Sequence, residues 1–258
     1  MTRVIAVANQ KGGVGKTTST LNLGAALHEA GNSVLYIDLD PQGSLTTSVG
    51  LEPEEIEETI YDAFKTTIYE TDGCKIKDLL YESSAGPDLI PSNIELSAAE
   101  LDLLQATMGE LILKEMIEES GLKYDFVLID CPPNLGGLTI NALSAATEVL
   151  IPLQADYLAL KGVNLLMRTI STVQRKINKR LRIAGILLTM ADLRTRHSRE
   201  VIEAAKEAVG DQINVFDSIV RLNVQIKEAS VAGESILDYA SQSNVAKAYR
   251  SLAKELMA

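Results

Sequence analysis

The stretch Ala8–Thr18, ANQKGGVGKTT, places three glycines before a lysine and two threonines. A short apolar run, Val4–Ala8, leads into it, and apolar residues with helical spacing follow from Thr17 to Ala30. In a glycine-rich turn at a helix N-terminus, backbone N–H groups point toward phosphate, a lysine reaches the outer phosphates and a hydroxyl binds Mg²⁺. The stretch therefore predicts a phosphate-binding loop between a strand and a helix.

The loop departs from the standard pattern G-x-x-x-x-G-K-[ST] by one residue, because Gln10 stands where the first glycine is required. A purely structural turn has no use for a lysine and a hydroxyl together, so the phosphate-binding function is favoured. Lys16 is the predicted catalytic lysine of the loop. The predicted nucleotide-binding residues are Gly12, Gly13, Val14, Gly15, Lys16, Thr17 and Thr18.

Further apolar runs alternate with helical segments, and a polar residue follows most of them. They are Val4–Ala8, Val34–Ile37, Phe126–Ile129, Val149–Ile151 and Ile183–Leu188. Continuous apolar strands of this kind are typical of a parallel sheet that is covered on both faces and binds ligands at its strand ends. We predict an α/β fold: a single doubly wound domain over residues 1–258, with a mostly parallel central sheet and helices on both faces. Residues 52–58 and 66–90 show little strand signal and are predicted to be peripheral insertions.

Three aspartates stand at the ends of two predicted strands. Asp130 follows Phe126–Ile129 and is placed like the aspartate that supports Mg²⁺ in phosphate-loop enzymes. Asp38 and Asp40 end the neighbouring strand, and one of them is expected to orient an attacking water. A lone aspartate at a strand end is also a common helix cap, but that role does not explain three of them beside one phosphate loop.

Composition narrows the classes of function. The net charge of −11 argues against nucleic acid as a partner, yet the charge is uneven. Residues 1–160 contain 8 Lys/Arg against 25 Asp/Glu, whereas residues 161–258 contain 16 against 10, so the last part can present a basic face. The alternative is that these basic residues lie on ordinary solvated helices.

Cys74 and Cys131 lack metal-site spacing, and no apolar run approaches the length of a membrane span. We therefore expect a cytoplasmic location.

Five ordered blocks resemble the ParA/Soj-type ATPases, which have a deviant Walker-A loop and belong to the group that includes MinD. The blocks are KGGVGKTTSTLNL, YIDLDPQGSLT, FVLIDCPPNLGGLTINAL, IPLQADYLALKG and LLTMADLRTRHSREV. Two positions differ from the family pattern, with Ser44 in place of the usual asparagine and Asp156 in place of the usual glutamate. The resemblance extends over nearly the whole chain.

The resemblance implies a role for each residue of the site. Lys16 would bind the β- and γ-phosphates of ATP, and Thr17 would bind Mg²⁺ with support from Asp130. Asp40 would position the attacking water, and Asp38 would act on the Mg²⁺ side of the site or in loop switching. Lys11, the second lysine of the loop, would reach across a homodimer interface to the phosphates bound by the partner.

The same resemblance implies partners. ParA-type proteins bind DNA without sequence preference as ATP-bound dimers, and a cargo adaptor of ParB-like role stimulates hydrolysis and releases them from the nucleoid. The candidate DNA-binding residues are Arg194, Arg196, Arg199, Arg221, Lys227, Lys247 and Arg250. The segment IVRLNVQIKEAS departs from the family here, because Leu222 and Gln225 stand at the usual arginine positions. Either the basic surface is rebuilt around Arg221 and Lys227, or DNA binding is weak.

Two other functions stay open at this point. A positioning ATPase of MinD type would bind membrane through the amphipathic segment Val245–Met257. That segment carries few basic residues, so we expect it to pack as the last helix, with no stable membrane anchor. A metal-cluster enzyme is disfavoured because no cysteine pair is available to hold a cluster.

Since the first strand starts at Val4, no N-terminal helix-turn-helix extension is expected. The cargo, whether a plasmid, a chromosome origin or a protein assembly such as a carboxysome, is not encoded in a recognisable motif.

Overall fold

The computed structural model describes residues 2–84, 86–155, 157–192, 200 and 213–258. The strands are β1 Arg3–Val7, β2 Val34–Asp38, β3 Asp88–Ile90, β4 Phe126–Asp130, β5 Glu148–Gln154, β6 Arg182–Ala191 and β7 Val215–Arg221. The α-helices are α1 Lys16–Glu29, α2 Ser44–Ser48, α3 Ile60–Ile68, α4 Ala99–Gln105, α5 Ile112–Glu119, α6 Gly137–Ala145, α7 Tyr157–Lys176, α8 Gln225–Ala232, α9 Ile236–Tyr239 and α10 Asn244–Met257. Short 3₁₀ helices span Pro53–Glu55, Ile76–Leu79, Ile94–Ala98 and Gly109–Leu111.

The strands form one sheet in the order β3-β2-β4-β1-β5-β6-β7, and every strand pair within the described residues is parallel. The register places Val7 and Asp38 beside Asp130, one on each neighbouring strand of β4. Because parallel strands end at one edge, the loops after β1, β2 and β4 meet there. The predicted α/β class with helices on both faces is confirmed.

Alternation along the strands builds a core on each face of the sheet. Ile37 and Ile129 pack with Phe64 on one face, whereas Tyr36 and Leu128 belong to the cluster on the other face. Strands β1, β2 and β4 are almost wholly buried. The sequence therefore shows continuous apolar runs in place of a polar-apolar alternation.

Helix α1 begins directly after the glycine loop, one residue earlier than predicted, and ends at Glu29. Gly15 precedes it with φ +87°, a left-handed conformation that favours glycine. Gly24, within the same helix, is required for a different reason. A Cβ atom there would lie 2.1 Å from Cε1 of Tyr36, so the helix lies directly against the β2 side chain.

Two strands were not predicted. Strand β3 lies in the region 66–90 that the sequence indicated as a peripheral insertion, and this part of the expectation is wrong: Asp88–Ile90 pairs with β2 at the sheet edge. A strand of three residues is too short for a periodic signal. Strand β7 is the other edge, and its residues alternate in burial instead of forming a continuous apolar run.

The last helix, α10, packs against β7 and α1. Its buried face consists of Val245, Ala246, Tyr249, Leu252, Ala253 and Leu256. The amphipathic pattern is therefore satisfied within the molecule, as predicted. Among the residues that the structure describes, no helix combines the length and apolarity that a bilayer crossing requires.

Candidate nucleotide-binding site

The glycine loop lines a cleft of about 470 Å³ at the carboxyl edge of the sheet. Gly13 and Gly15 have φ values of +70° and +87°, and open space lies where a Cβ of Gly13 would be. Turns of this kind direct successive backbone N–H groups to one side and favour an anion there. The cleft is lined by Gly12, Gly13, Gly15, Lys16, Thr17, Thr18, Asp40, Ser44, Thr47, Ser48, Pro133, Met190 and Ser230.

Lys16 is the buried cation of the cleft, with 7% of its surface exposed. Its Nζ donates a hydrogen bond to the carbonyl oxygen of Lys11 at 3.4 Å. Burial lowers the pKa of Lys16, while Asp130 and Asp40 act in the opposite direction. An ammonium group held under a glycine loop and away from water favours a strongly anionic ligand.

Thr17 and Asp130 meet beneath the loop. The Thr17 hydroxyl donates to Oδ2 of Asp130 at 2.6 Å, and the Thr20 hydroxyl lies 3.4 Å from Oδ1. Burial and the neighbouring Asp38 raise the pKa of Asp130. A hydroxyl and a carboxylate are the hard oxygen donors that Mg²⁺ prefers, so this pair fits the predicted cation.

Asp38 is fully buried, and donors from its own chain surround its carboxylate. Thr46 donates to Oδ2 through its backbone N at 2.9 Å and through its hydroxyl at 2.8 Å, and the backbone N of Asp40 donates to Oδ1 at 3.1 Å. Burial raises the pKa of Asp38 to about 6. Asp38 thus holds α2 against the end of β2. The sequence analysis did not identify Thr46, because a separation of eight residues from Asp38 matches no recognised motif.

Asp40 lines the same cleft as the loop and is 8% exposed. Its Oδ1 accepts a hydrogen bond from the backbone N of Gln42 at 3.0 Å, and its carbonyl oxygen accepts one from the Ser92 hydroxyl at 3.0 Å. Burial raises its pKa, and Lys16 opposes this. The carboxylate is therefore fixed at the wall of the cleft beside the cation.

Lys11 is exposed and does not line the cleft that contains Lys16. Its backbone N donates to Oδ1 of Asn9 at 3.0 Å, and its Nζ lies 3.1 Å from Oε1 of Gln154. Asn9 is itself held by a bond from Nδ2 to the Pro152 carbonyl at 2.7 Å. The base of Lys11 is thus fixed by β5, and its ammonium lies at the surface.

Thr189 and Met190, at the end of β6, complete the site, and sequence reasoning saw them only as a strand end in a family block. The Thr189 hydroxyl donates to the Val14 carbonyl at 2.8 Å, which ties β6 to the loop. Met190 lines the cleft with φ +53°, an uncommon value for a residue other than glycine. No sequence signal marks this backbone conformation.

The candidate DNA-binding residues occupy several places. Arg221, Lys227 and Lys247 are exposed, on β7, α8 and α10 respectively. Arg250 instead forms an ion pair with Glu29 and donates to the Ser241 carbonyl, so it ties α10 to α1. Its assignment to DNA stays a prediction. Arg194, Arg196 and Arg199 lie outside the described residues.

Known proteins share this chain's sequence and fold. A family model described as an AAA domain matches residues 2–183. The sporulation initiation inhibitor protein Soj of Bacillus subtilis is 41% identical over all of this chain and 99% of its own length. The chromosome-partitioning ATPase Soj of Treponema pallidum is also 41% identical, over 100% of this chain and 98% of its own. The chain belongs to the ParA/Soj family.

A solved structure shares the fold of this ParA/Soj-family chain. The Mycobacterium smegmatis structure named cobyrinic acid a,c-diamide synthase, with bound ADP and magnesium, is 39% identical. Its TM-score is 0.84, and the match covers 100% of this chain and 94% of that one. The resemblance drawn from the five sequence blocks is confirmed.

Proposed function

We propose that this ParA/Soj-family protein is an Mg²⁺-dependent ATPase that positions a cargo on DNA. The observation that carries the proposal is the grouping of Lys16, Thr17 and Asp40 around the glycine loop in one cleft, with the buried Asp130 hydrogen-bonded to Thr17. The mycobacterial structure with ADP and magnesium supports the same ligands. The reaction would convert ATP and water to ADP and phosphate.

The chain's own groups divide the chemistry among them. The N–H groups of the loop and Lys16 would bind the β- and γ-phosphates, and Thr17 with Asp130 would hold Mg²⁺. The cation would neutralise charge that develops on the phosphate oxygens. Asp40, fixed by Gln42 and close enough to interact with Lys16, would orient the attacking water. The burial of Lys16 and Asp40 strengthens their electrostatic contacts.

Lys11 would complete the site of a second copy in an ATP-bound homodimer. Its ammonium lies outside its own cleft, while the backbone at its base is held by Asn9. A cation supplied across an interface stabilises the charge of the transferring phosphoryl group, as arginine fingers do, by about 10³- to 10⁵-fold in rate. The dimer and the reaction would then depend on each other.

DNA would bind to exposed lysines and arginines of residues 161–258, the part of the chain in which basic residues outnumber acidic ones. Arg221 lies on β7, Lys227 lies on α8, which also contains the cleft residue Ser230, and Lys247 lies on α10. Contacts of lysine and arginine with phosphates carry no sequence preference and weaken with salt. A cargo adaptor of ParB-like role would stimulate hydrolysis and so release the protein from the nucleoid.

The test is binding of the Asp40→Ala protein to duplex DNA of arbitrary sequence with ATP, with ADP and without nucleotide, at several salt concentrations. We expect binding with ATP alone, in a dimer that accumulates because turnover is blocked. A protein that dimerises with ATP but does not bind DNA at low salt would refute the DNA part. A protein that stays monomeric at saturating ATP would refute the role of Asp40.

The membrane-associated alternative receives no support from the last helix. The apolar side chains of α10, among them Tyr249 and Leu252, are buried against the domain. Membrane binding through this face would require the helix to leave its packing site. Sedimentation with anionic vesicles in the presence of ATP measures this directly, and we expect no cosedimentation.

A further inference from the structure

Helix α4 exposes an apolar face that nothing in the described part of the chain covers. Leu101 and Leu104, three residues apart and so on one side of the helix, are 65% and 80% exposed. Ile94 and Met108, just before and just after α4, are each 61% exposed. We call these four side chains the α4 face. Ala99 and Leu103 point the other way, into the core.

The α4 face is an apolar surface built around one short helix. Leu101 and Leu104 lie on α4 itself, Ile94 lies in the preceding 3₁₀ helix Ile94–Ala98, and Met108 follows the end of α4 with φ +54°. An exposed apolar surface of this kind can receive the apolar stripe of a partner helix. The neighbouring Tyr69 is 57% exposed and donates its hydroxyl to Asp102 of α4 at 3.0 Å, so it extends the surface to the side.

The charged residues around the α4 face indicate which kind of partner would bind there. In residues 94–119 the only basic side chain is Lys114, and Lys65 of α3 lies close enough to interact with Glu95 and Asp102. The acidic ones are Glu95, Glu100, Asp102, Glu110, Glu115, Glu118 and Glu119. Two copies of this surface would repel each other, because like charges would meet around the apolar contact. A helix with an apolar stripe and basic flanks is complementary to it.

The α4 face is connected to the nucleotide cleft by one side chain. The carboxylate of Glu100 in α4 accepts hydrogen bonds from the backbone N of Gly137 at 2.6 Å and of Leu138 at 3.5 Å, at the start of α6. A Cβ on Gly136 would lie 2.5 Å from Oε1 of Glu100, so the contact is close. The loop 131–136 runs from Asp130 to this point, and its Pro133 lines the cleft.

We propose that the α4 face docks a basic amphipathic helix of the partner protein. The inference rests on the proposed function in one respect, namely that the partner is the adaptor that controls hydrolysis. Docking on α4 would move Glu100 and, with it, the loop that joins Asp130 to α6. The surface thus provides a place where a partner acts on the nucleotide site without entering the cleft.

The test measures the anisotropy of a labelled model peptide on the full-length protein. The peptide is a helix of about 18 residues, roughly five turns, with leucines on one stripe and lysines elsewhere, and its control is a scrambled peptide of equal composition. The variants are Leu104→Glu and the double change Leu101→Glu with Leu104→Glu. The matched control is Leu165→Glu, an exposed leucine of α7.

We expect the leucine-lysine peptide to bind the wild-type and Leu165→Glu proteins equally, and Leu104→Glu at least tenfold more weakly. The new carboxylate adds attraction for a basic peptide, so only lost apolar docking explains weaker binding. Equal binding by wild type and Leu104→Glu, or equal binding of the scrambled peptide, would overturn the proposal. Urea unfolding of each variant verifies that the fold is intact.

The same variants separate this proposal from the proposed function. Nucleotide and DNA binding by Leu104→Glu should equal those of wild type, because the α4 face is outside the cleft. If wild type binds neither ATP nor DNA but binds the peptide through Leu104, the proposed function fails while the docking face stands. If ATP and DNA bind and the peptide does not depend on Leu104, the docking face alone fails.

Discussion

At the scale of single residues, two lysines five positions apart receive opposite surroundings. Lys16 is buried with Asp130 and Asp40 among the groups that act on its pKa. Lys11 is exposed, and its ammonium lies beside Gln154. The same loop therefore places the ammonium of Lys16 inside its own cleft and the ammonium of Lys11 at the protein surface.

Substitution of Lys11 tests whether the second cation acts on a partner copy. Lys11→Ala should retain ATP binding, because the residue does not line its own cleft, and should lose ATP-driven dimerisation and most of the turnover. Isothermal titration, sedimentation and phosphate release measure the three properties. Lys179→Ala, an exposed lysine outside the cleft, is the control. Wild-type hydrolysis by Lys11→Ala would refute the role across the interface.

Thr46 is the residue whose removal should disturb the buried Asp38. Thr46→Val deletes the hydroxyl that donates to Asp38 and accepts from the backbone N of Ser92 at 3.1 Å. The buried Asp38 would lose one of its donors and the Ser92 N–H its acceptor, which should cost about 1–3 kcal/mol of unfolding free energy. Urea unfolding checks this against Thr71→Val at an exposed threonine. Equal stability of the two variants would show that the Thr46 hydroxyl does not support Asp38.

At the scale of elements, the approach of α1 to the sheet positions the phosphate loop. Gly24 allows the helix to lie against Tyr36, and the Tyr36 hydroxyl donates to the Leu21 carbonyl. Asn22 anchors the same helix by accepting from the backbone N of Ile236 at 2.7 Å. The N-terminus of α1 is thus fixed under the loop from several sides.

Adding a methyl group at Gly24 should push α1 away from β2. We expect Gly24→Ala to lower the free energy of unfolding by about 1–3 kcal/mol through overpacking and to weaken nucleotide binding, since the helix begins at Lys16. Chemical unfolding and nucleotide titration measure both effects, with His28→Ala, at an exposed position of the same helix, as the comparison. A stability equal to wild type would mean that Tyr36 moves aside without cost.

At the scale of the whole molecule, charge is unevenly distributed along the chain. The acidic half carries the cleft carboxylates and the α4 face, whereas the later part places Arg221, Lys227 and Lys247 at the surface. A net charge of −11 therefore coexists with a surface that can meet DNA phosphates. The two proposed partners, DNA and a basic helix, would bind surfaces of opposite charge.

Salt dependence distinguishes which cations contact DNA. For ATP-bound Asp40→Ala, the slope of log K against log salt should fall by about 1 for each phosphate contact that is removed. We expect this change on adding Arg221→Ala or Lys227→Ala. The added change Lys179→Ala, at an exposed lysine outside the candidate DNA-binding residues, should leave the slope unchanged. Unchanged slopes for Arg221→Ala and Lys227→Ala would exclude β7 and α8 from that surface.

The sequence by itself determined the fold class, the phosphate loop and the family, because these depend on local features. Buried parallel strands appear as continuous apolar runs, and the loop requires glycines, a lysine and a hydroxyl at fixed spacing. The short edge strand β3 and the alternating strand β7 gave no such signal. Their pairing depends on neighbours that are distant in the chain.

Only the tertiary structure decided which side chains share a surface. In the folded chain Thr46 donates a hydrogen bond to Asp38, and Thr189 donates one to the Val14 carbonyl. Arg250 forms the ion pair with Glu29 that connects α10 to α1. The tertiary structure also left Leu101 and Leu104 exposed on a helix whose other face is buried. The Thr189 and Arg250 contacts join residues far apart in the chain, and the exposure of Leu101 and Leu104 depends on what packs against α4, so these features follow from tertiary packing and cannot be read from local sequence patterns.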